Sequence, residues 1–323
     1  MMEKLNNKFL TYGLFCISVL ICVVKHGDAN LLLTTDFDGR YKYVSFDESE
    51  LHLHAIGVSL RKTFADKLGD RLTLFLLAET MHNFKKTMID QGYVQYKGPL
   101  GKWNITLGRY RLPFGLLPDY STNRLLITTV ESETIGLSSD NGLQLSGTIK
   151  DFDYAISLSQ GIGQKFKSID KDKNGLVSFR LGYQGVDFED FKVGISGLFG
   201  KIISDENNDS SVLNKKLLSI DLTKYSGRRV FRGEFSFGEE NDEKLLGIFL
   251  GSDYALFPKT DINLGYSLVK LSEYKKIHFL NVGLTFSLFS GFQIRIAQKM
   301  PIKMEKGKNE LLFQVYYIFS RIF

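Results

Sequence analysis

Leu311-Leu312-Phe313-Gln314-Val315-Tyr316-Tyr317-Ile318-Phe319-Ser320-Arg321-Ile322-Phe323 closes the chain, and Leu311, Phe313, Val315, Tyr317, Phe319 and Phe323 share one parity that only Arg321 interrupts. Side chains alternate across a strand with a period of two, so this stripe makes one apolar face. An alternating segment that ends on an aromatic is the pattern of the last strand of a β-barrel in a bilayer. Its apolar face meets lipid and its terminal ring sits at the interface.

The other end of the chain is consistent with export. Lys4 and Lys8 precede an uncharged run over 9–24, followed by Gly27-Asp28-Ala29. A charged start, an apolar middle and a small-residue step predict a secretory signal peptide over 1–29, cleaved after Ala29. An uncleaved anchor is the competing reading, but a run of roughly 16 residues is short against the ~20 that span a bilayer. Cys16 and Cys22 lie inside the run, after Phe15 and Ile21, where lipidation would want a small residue. The remaining segment, 30–323, has no cysteine, which excludes disulfides and thiolate metal sites.

Only 5 Pro stand against 30 Gly, 26 Phe and 15 Tyr, a composition that suits one large β domain. The net charge of +5 is mild. Its basic residues are spread along the chain rather than gathered in a stripe, which gives no nucleic-acid footprint. Beyond the leader no apolar stretch approaches the ~20 residues of a helical span. A membrane chain without such helices must close a barrel, because lipid offers no partner to backbone polar groups.

Alternating segments recur from 30–39 and 51–64 to 290–299 and 309–323, about sixteen in all. The predicted fold class is therefore an all-β, transmembrane antiparallel barrel. Its connections fall into two classes. Every second gap is short, as at 98–101, Asp151 and 225–227, whereas 40–50, 162–174, 201–214 and 300–308 are longer and polar. Short periplasmic turns facing longer external loops are the asymmetry of an outer-membrane barrel. Two strands show the faces well. Phe231, Phe235 and Phe237 oppose Arg232, Glu234 and Ser236, and Phe292, Ile294 and Ile296 oppose Gln293, Arg295 and Lys299. A soluble sandwich alternates too; the leader, the terminal aromatic and the loop asymmetry favour the barrel. Segment 71–82 fits least, since Leu72, Leu74, Phe75, Leu76 and Leu77 blur the alternation and would also suit a short helix.

The third external connection, from about Arg111 to Asp140, runs for roughly 30 residues, well beyond ordinary loop lengths, and so is expected to be functional. Gly108-Arg109-Tyr110-Arg111-Leu112-Pro113-Phe114-Gly115 leads into it. This run resembles the strand-end motif of the phosphate-selective porin O and P family, where a Gly, a basic residue and a Pro-Phe step close one strand. The resemblance covers 105–150 and is architectural beyond. It implies a trimeric diffusion channel of about sixteen strands. The long connection is also similar in position and length to the loop of general porins that folds into the barrel. On that resemblance Arg111, Asp119, Arg124, Glu131 and Glu133 are the candidate pore constriction, and the apolar 125–130 stretch would pack on the inner wall. An external flap is the alternative.

Parity places Lys150, Arg180, Lys192, Arg232, Glu234, Arg295 and Lys299 on the lumen wall, together with Asp153, Asp221 and Asp253. The small positive excess suggests weak anion selectivity, since a narrow low-dielectric bore amplifies small charge differences. An unselective pore is the other reading. The expected function is passive diffusion of small hydrophilic solutes or inorganic anions across the outer membrane of a Gram-negative-type bacterium. The expected partners are lipid and two further copies of the chain in a homotrimer.

Competing motifs are weaker. Asp170-Lys171-Asp172-Lys173-Asn174-Gly175 matches the first half of a calcium loop, but Leu181 stands where the bidentate acid belongs. His52 and His54 share a face without a nominated third ligand, and Gly161-Ile162-Gly163 lacks the following helix of a dinucleotide site. No cofactor or metal is expected. Only His52, His54, His82 and His278 outlast processing, and no Gly-x-Ser-x-Gly run occurs, so catalysis is not expected. A receptor or adhesin barrel that binds a partner through its loops remains the competing class.

Overall fold

The computed structural model describes residues 30–44, 50–67, 69–81, 86–117, 134–163, 174–184, 191–204, 211–271, 275–302 and 309–323. The predicted leader over 1–29 and the paired residues Asp170 and Asp172 lie outside them, as does His82.

Alternation of apolar and polar residues produces strands throughout. They are β1 (Asn30–Val44), β2 (Glu50–Asp66), β3 (Gly69–Met81), β4 (Lys86–Lys97), β5 (Asn104–Arg111), β6 (Ser139–Ile149), β7 (Phe152–Ser159) and β8 (Gly175–Tyr183). The second half holds β9 (Phe191–Ser204), β10 (Ser211–Ser226), β11 (Arg229–Glu240), β12 (Glu243–Phe257), β13 (Thr260–Leu271), β14 (Lys275–Phe289), β15 (Phe292–Pro301) and β16 (Glu310–Ile322). Each strand pairs antiparallel with its sequence neighbours, and β1 pairs with β16 to close the barrel. Phe323 N donates to Leu31 O at 2.9 Å across that seam. Closure leaves the sheet no free edge.

Over much of the barrel the two faces are as distinct as the alternation predicts. Large apolar side chains stay exposed on the outer face, with Leu107 at 63 % and Ile195 at 54 %. That surface suits lipid rather than water. The inner face carries Ser157, Ser178, Ser196, Ser219, Ser236 and Gln314, all but inaccessible. No helix among the described residues is long and apolar enough to cross a membrane.

Turn chemistry sets the tight ends. Asn241 and Asp242 both have positive φ, 49° and 67°, as a two-residue hairpin turn requires, and they join β11 directly to β12. Gly291 (φ 78°) turns β14 into β15, where a Cβ would meet Ile318 O at 2.1 Å. Several strands outrun the sequence reading at the long-loop side: β1 continues to Val44, and β9 and β10 leave only 205–210 between them. Backbone pairing continues there past the apolar band, where side-chain alternation no longer marks it. Of the ambiguous segment, 71–81 belong to strand β3. Its alternation is blurred because Phe75 and Leu77 face the bore as apolar residues, opposite Arg61 and Ser59, while Leu72, Leu74 and Leu76 lie on the other face.

Candidate functional site

β5 is among the shortest strands, and beyond Arg111 the chain leaves the wall for the bore. Leu112, Phe114, Leu116 and Leu117 are all buried. The returning arm follows from Thr134, and Leu112 N donates to Ser138 O at 3.1 Å, so the two arms are tied together at their root.

The far wall holds the outgoing arm by three hydrogen bonds from three strands. Gly115 N donates to Ser196 Oγ of β9 at 2.9 Å, Leu116 N donates to Glu234 Oε2 of β11 at 2.9 Å, and Arg180 Nε of β8 donates to Gly115 O at 3.2 Å. Lys215 Nζ of β10 donates to Thr134 O at 2.5 Å on the returning arm and pairs with Glu240 at 2.7 Å. Beneath the arms, Leu112, Phe114, Leu117 and Ile135 pack on Leu176, Leu198, Ile202, Leu217 and Leu245 of the inner wall. Wall serines leave room for this approach: Ser157 and Ser178 lie 2.6 Å apart, and Ser236 donates to Ser219 at 3.0 Å. The described arms of the long connection therefore fold inward, and the external-flap alternative is set aside for them.

Asp140 anchors the root of the returning arm. Its carboxylate accepts hydrogen bonds from the backbone N–H groups of Asn141, Gly161, Ile162 and Gly163. Gly161 and Gly163 have φ of 70° and 58°, so successive N–H groups converge on one anion. The Gly-Ile-Gly run thus forms an anion nest, and its anion is a carboxylate of the same chain. Arg109, nearly buried, adds donors to Ile89 O at 2.9 Å and Asn141 Oδ1 at 3.3 Å.

A belt of charge-assisted bonds runs round the inner wall. Arg180 Nη1 donates to Asp153 at 2.9 Å and Nη2 to Asp221 at 2.7 Å. Arg232 pairs with Asp253, which also accepts from Asn263 at 2.8 Å. Arg295 donates to Gln314 at 2.8 Å and to Gln293, Gln314 donates to Asp38 at 2.8 Å, and Arg40 closes on Asp38 at 2.8 Å. Lys299 lies 3.9 Å from the Phe279 ring centroid.

The sequence-predicted wall residues are largely where parity puts them. Arg180, Arg232, Glu234 and Arg295 line the bore, and Lys192 and Lys299 take the same parity through their partners Thr223 and Asn281. Lys150 stands instead in the turn between β6 and β7, exposed and at φ 53°, because the hairpin needs a left-handed residue there. Glu234, expected as a wall charge, is an anchor of the long connection. Arg111 ends β5 and lines a groove on the opposite wall, while Asp119, Arg124, Glu131, Glu133 and the 125–130 stretch lie outside the described residues. Among the described residues no group of three or more His, Cys, Asp or Glu is placed to hold a metal ion. Sequence reading missed the apolar inner wall. Its signal was present in β9, where Leu198 and Ile202 fall on the polar parity of Ser196.

No family model and no curated protein matches the chain. Solved structures match over nearly its whole length. OmpT in its trimer form, an outer membrane protein of Vibrio cholerae, aligns with a TM-score of 0.70 at 11 % identity, covering 90 % of this chain and 100 % of its own. The anion-selective porin from Comamonas acidovorans aligns at 0.68 and 13 %, covering 92 % and 100 %. The outer membrane channel DcaP of Acinetobacter baumannii aligns at 0.65 and 10 %, covering 90 % and 97 %. At such identities the likeness establishes the fold.

Proposed function

We propose that the chain is a passive diffusion channel of the outer membrane in a Gram-negative-type bacterium, admitting small hydrophilic solutes without bond chemistry. One observation carries the reading: the described arms of the connection after β5 lie inside the barrel, and the outgoing arm is clamped to the wall by Ser196, Glu234 and Arg180. A loop that served only external recognition would gain nothing from being fixed there. A fixed arm across a wet bore sets a size limit and a local field, which is what a diffusion channel needs. The likeness of the fold to barrels described as porins and channels supports this reading.

Export begins with removal of 1–29, and the barrel domain is 30–323. Arg111, Asp119, Arg124, Glu131 and Glu133 form the narrowing. Three copies assemble, in line with the trimer form named for one structural neighbour. Ion preference is weak, because Arg180, Arg232, Arg40 and Lys215 face carboxylate partners on the same wall. Arg295 and Lys299 tip it toward anions. Phosphate is one candidate anion, through the resemblance at 108–115.

The test is conductance of the refolded chain in planar bilayers. Discrete steps with a small reversal potential of anion sign are expected in a potassium chloride gradient. A silent protein with intact sheet content would overturn the channel, and a clear cation preference would overturn the assignment to Arg295 and Lys299.

A further inference from the structure

On the wall opposite the clamped arms, register arranges a groove in three rows. Leu32, Arg61 and Phe75 stand side by side across β1, β2 and β3; Thr34, Ser59 and Leu77 form the next row; Asp36, Gly57 and Glu79 form the third. Tyr316 and Ile318 of β16 and Arg111 from the end of β5 complete the lining. It shares no residue with the apolar cluster beneath the arms.

The rows differ in sign. In the first, the Arg61 guanidinium lies 5.2 Å from the Phe75 ring centroid, a cation set on an aromatic face. In the third, two carboxylates flank a glycine, and a Cβ on Gly57 would come within 2.1 Å of Asp36 Oδ1, so the Asp36 carboxylate lies across the glycine toward β3. Between them, Thr34 and Ser59 offer hydroxyls and Leu77 an apolar side chain. Neighbouring rows are about 7 Å apart along a strand, which puts the outer rows about 14 Å apart at the backbone. Side chains reaching inward from both ends shorten that span.

We propose that this groove is a subsite for short zwitterionic peptides of two or three residues with an apolar side chain. Their carboxylate lies at Arg61 and their ammonium group at Asp36 and Glu79. An extended peptide of two or three residues spans about 7 to 10 Å, which suits the gap left between the rows. A simple anion would meet the carboxylate row and a simple cation would meet Arg61 and Arg111. A neutral sugar would answer neither charge, whereas a peptide with an apolar side chain answers both and covers Leu32, Phe75, Leu77 and Ile318.

The proposal rests on the chain being a channel, and one recording separates the two. Single channels in potassium chloride are exposed in turn to alanyl-phenylalanine, to the same dipeptide capped at both ends, to alanyl-alanine and to glucose. Brief concentration-dependent blocks are expected with alanyl-phenylalanine and much weaker ones with the other three. Arg61→Gln and Glu79→Gln, each referred to its own open current, should raise the half-blocking concentration roughly threefold to fivefold. Equal block by the free and capped dipeptides, or block indifferent to both substitutions, overturns the subsite and leaves the channel standing. Absence of any conductance step overturns both.

Discussion

Gly115 has a φ of 52° and stands where a Cβ would come within 2.4 Å of Glu234 Oε2, the oxygen that accepts from Leu116 N. An alanine there meets both a backbone penalty of about 1 kcal/mol and a displaced, nearly buried carboxylate. Gly227→Ala is the control, since that glycine has φ 56° with nothing within 4 Å of its would-be Cβ. Gly115→Ala is expected to increase open-channel current noise as the arm loosens, and Gly227→Ala to leave it unchanged. Glu234→Gln should act in the same direction, because a charge-assisted bond worth about 1.5 to 3 kcal/mol becomes a neutral one. Arg232→Leu differs in kind. It removes a lumenal cation while Asn263 still donates to Asp253, so the reversal potential should move toward cation preference while the barrel stays folded. An unmoved reversal potential would count against a role for Arg232 in the permeation path. Parity alone revealed that Arg232 and Glu234 face inward. It gave no hint that one is bonded within the wall and the other to a loop, because the partner of Glu234 lies 118 residues away.

Strands are legible wherever inner and outer faces differ in polarity, and less so where they do not. β11 and β15 alternate over most of their length, and the predicted strand 290–299 lies within two residues of β15 at each end. β3 and β9 carry apolar residues on both faces, since Phe75 lines a groove and Leu198 seats the inward arm. In β9, what blurs the alternation is the same feature that seats the inward arm. Replacing Phe114 and Leu117 by Ser removes the arm's apolar foothold, at a local cost of several kcal/mol. The arm should then leave the wall, with a larger single-channel conductance and an unchanged circular-dichroism sheet signal. Unaltered conductance would mean that the hydrogen bonds to Ser196, Glu234 and Arg180 suffice to hold it.

For the whole molecule, closure matters most. β1 pairs with β16 from Leu32–Ile322 to Val44–Glu310, joining the two ends of the barrel. Removing 310–323 would expose unpaired backbone groups of β1 and β15 to lipid, at several kcal/mol for each unsatisfied group. Such a chain should fail to give the compact, heat-sensitive band of a folded barrel in detergent electrophoresis. The amino-acid sequence by itself determined the barrel, its strand rhythm and the unusual length of the connection after β5. These follow from periodicity, turn chemistry and length, all of which are local. Only the tertiary structure decided that the arms of this connection bind Ser196, Glu234 and Arg180, that Asp140 fills the glycine nest, and that Arg61 and the Asp36–Glu79 pair face one groove. Those contacts join residues far apart in the chain, and they depend on how sixteen staggered strands come round to meet, which no local pattern encodes.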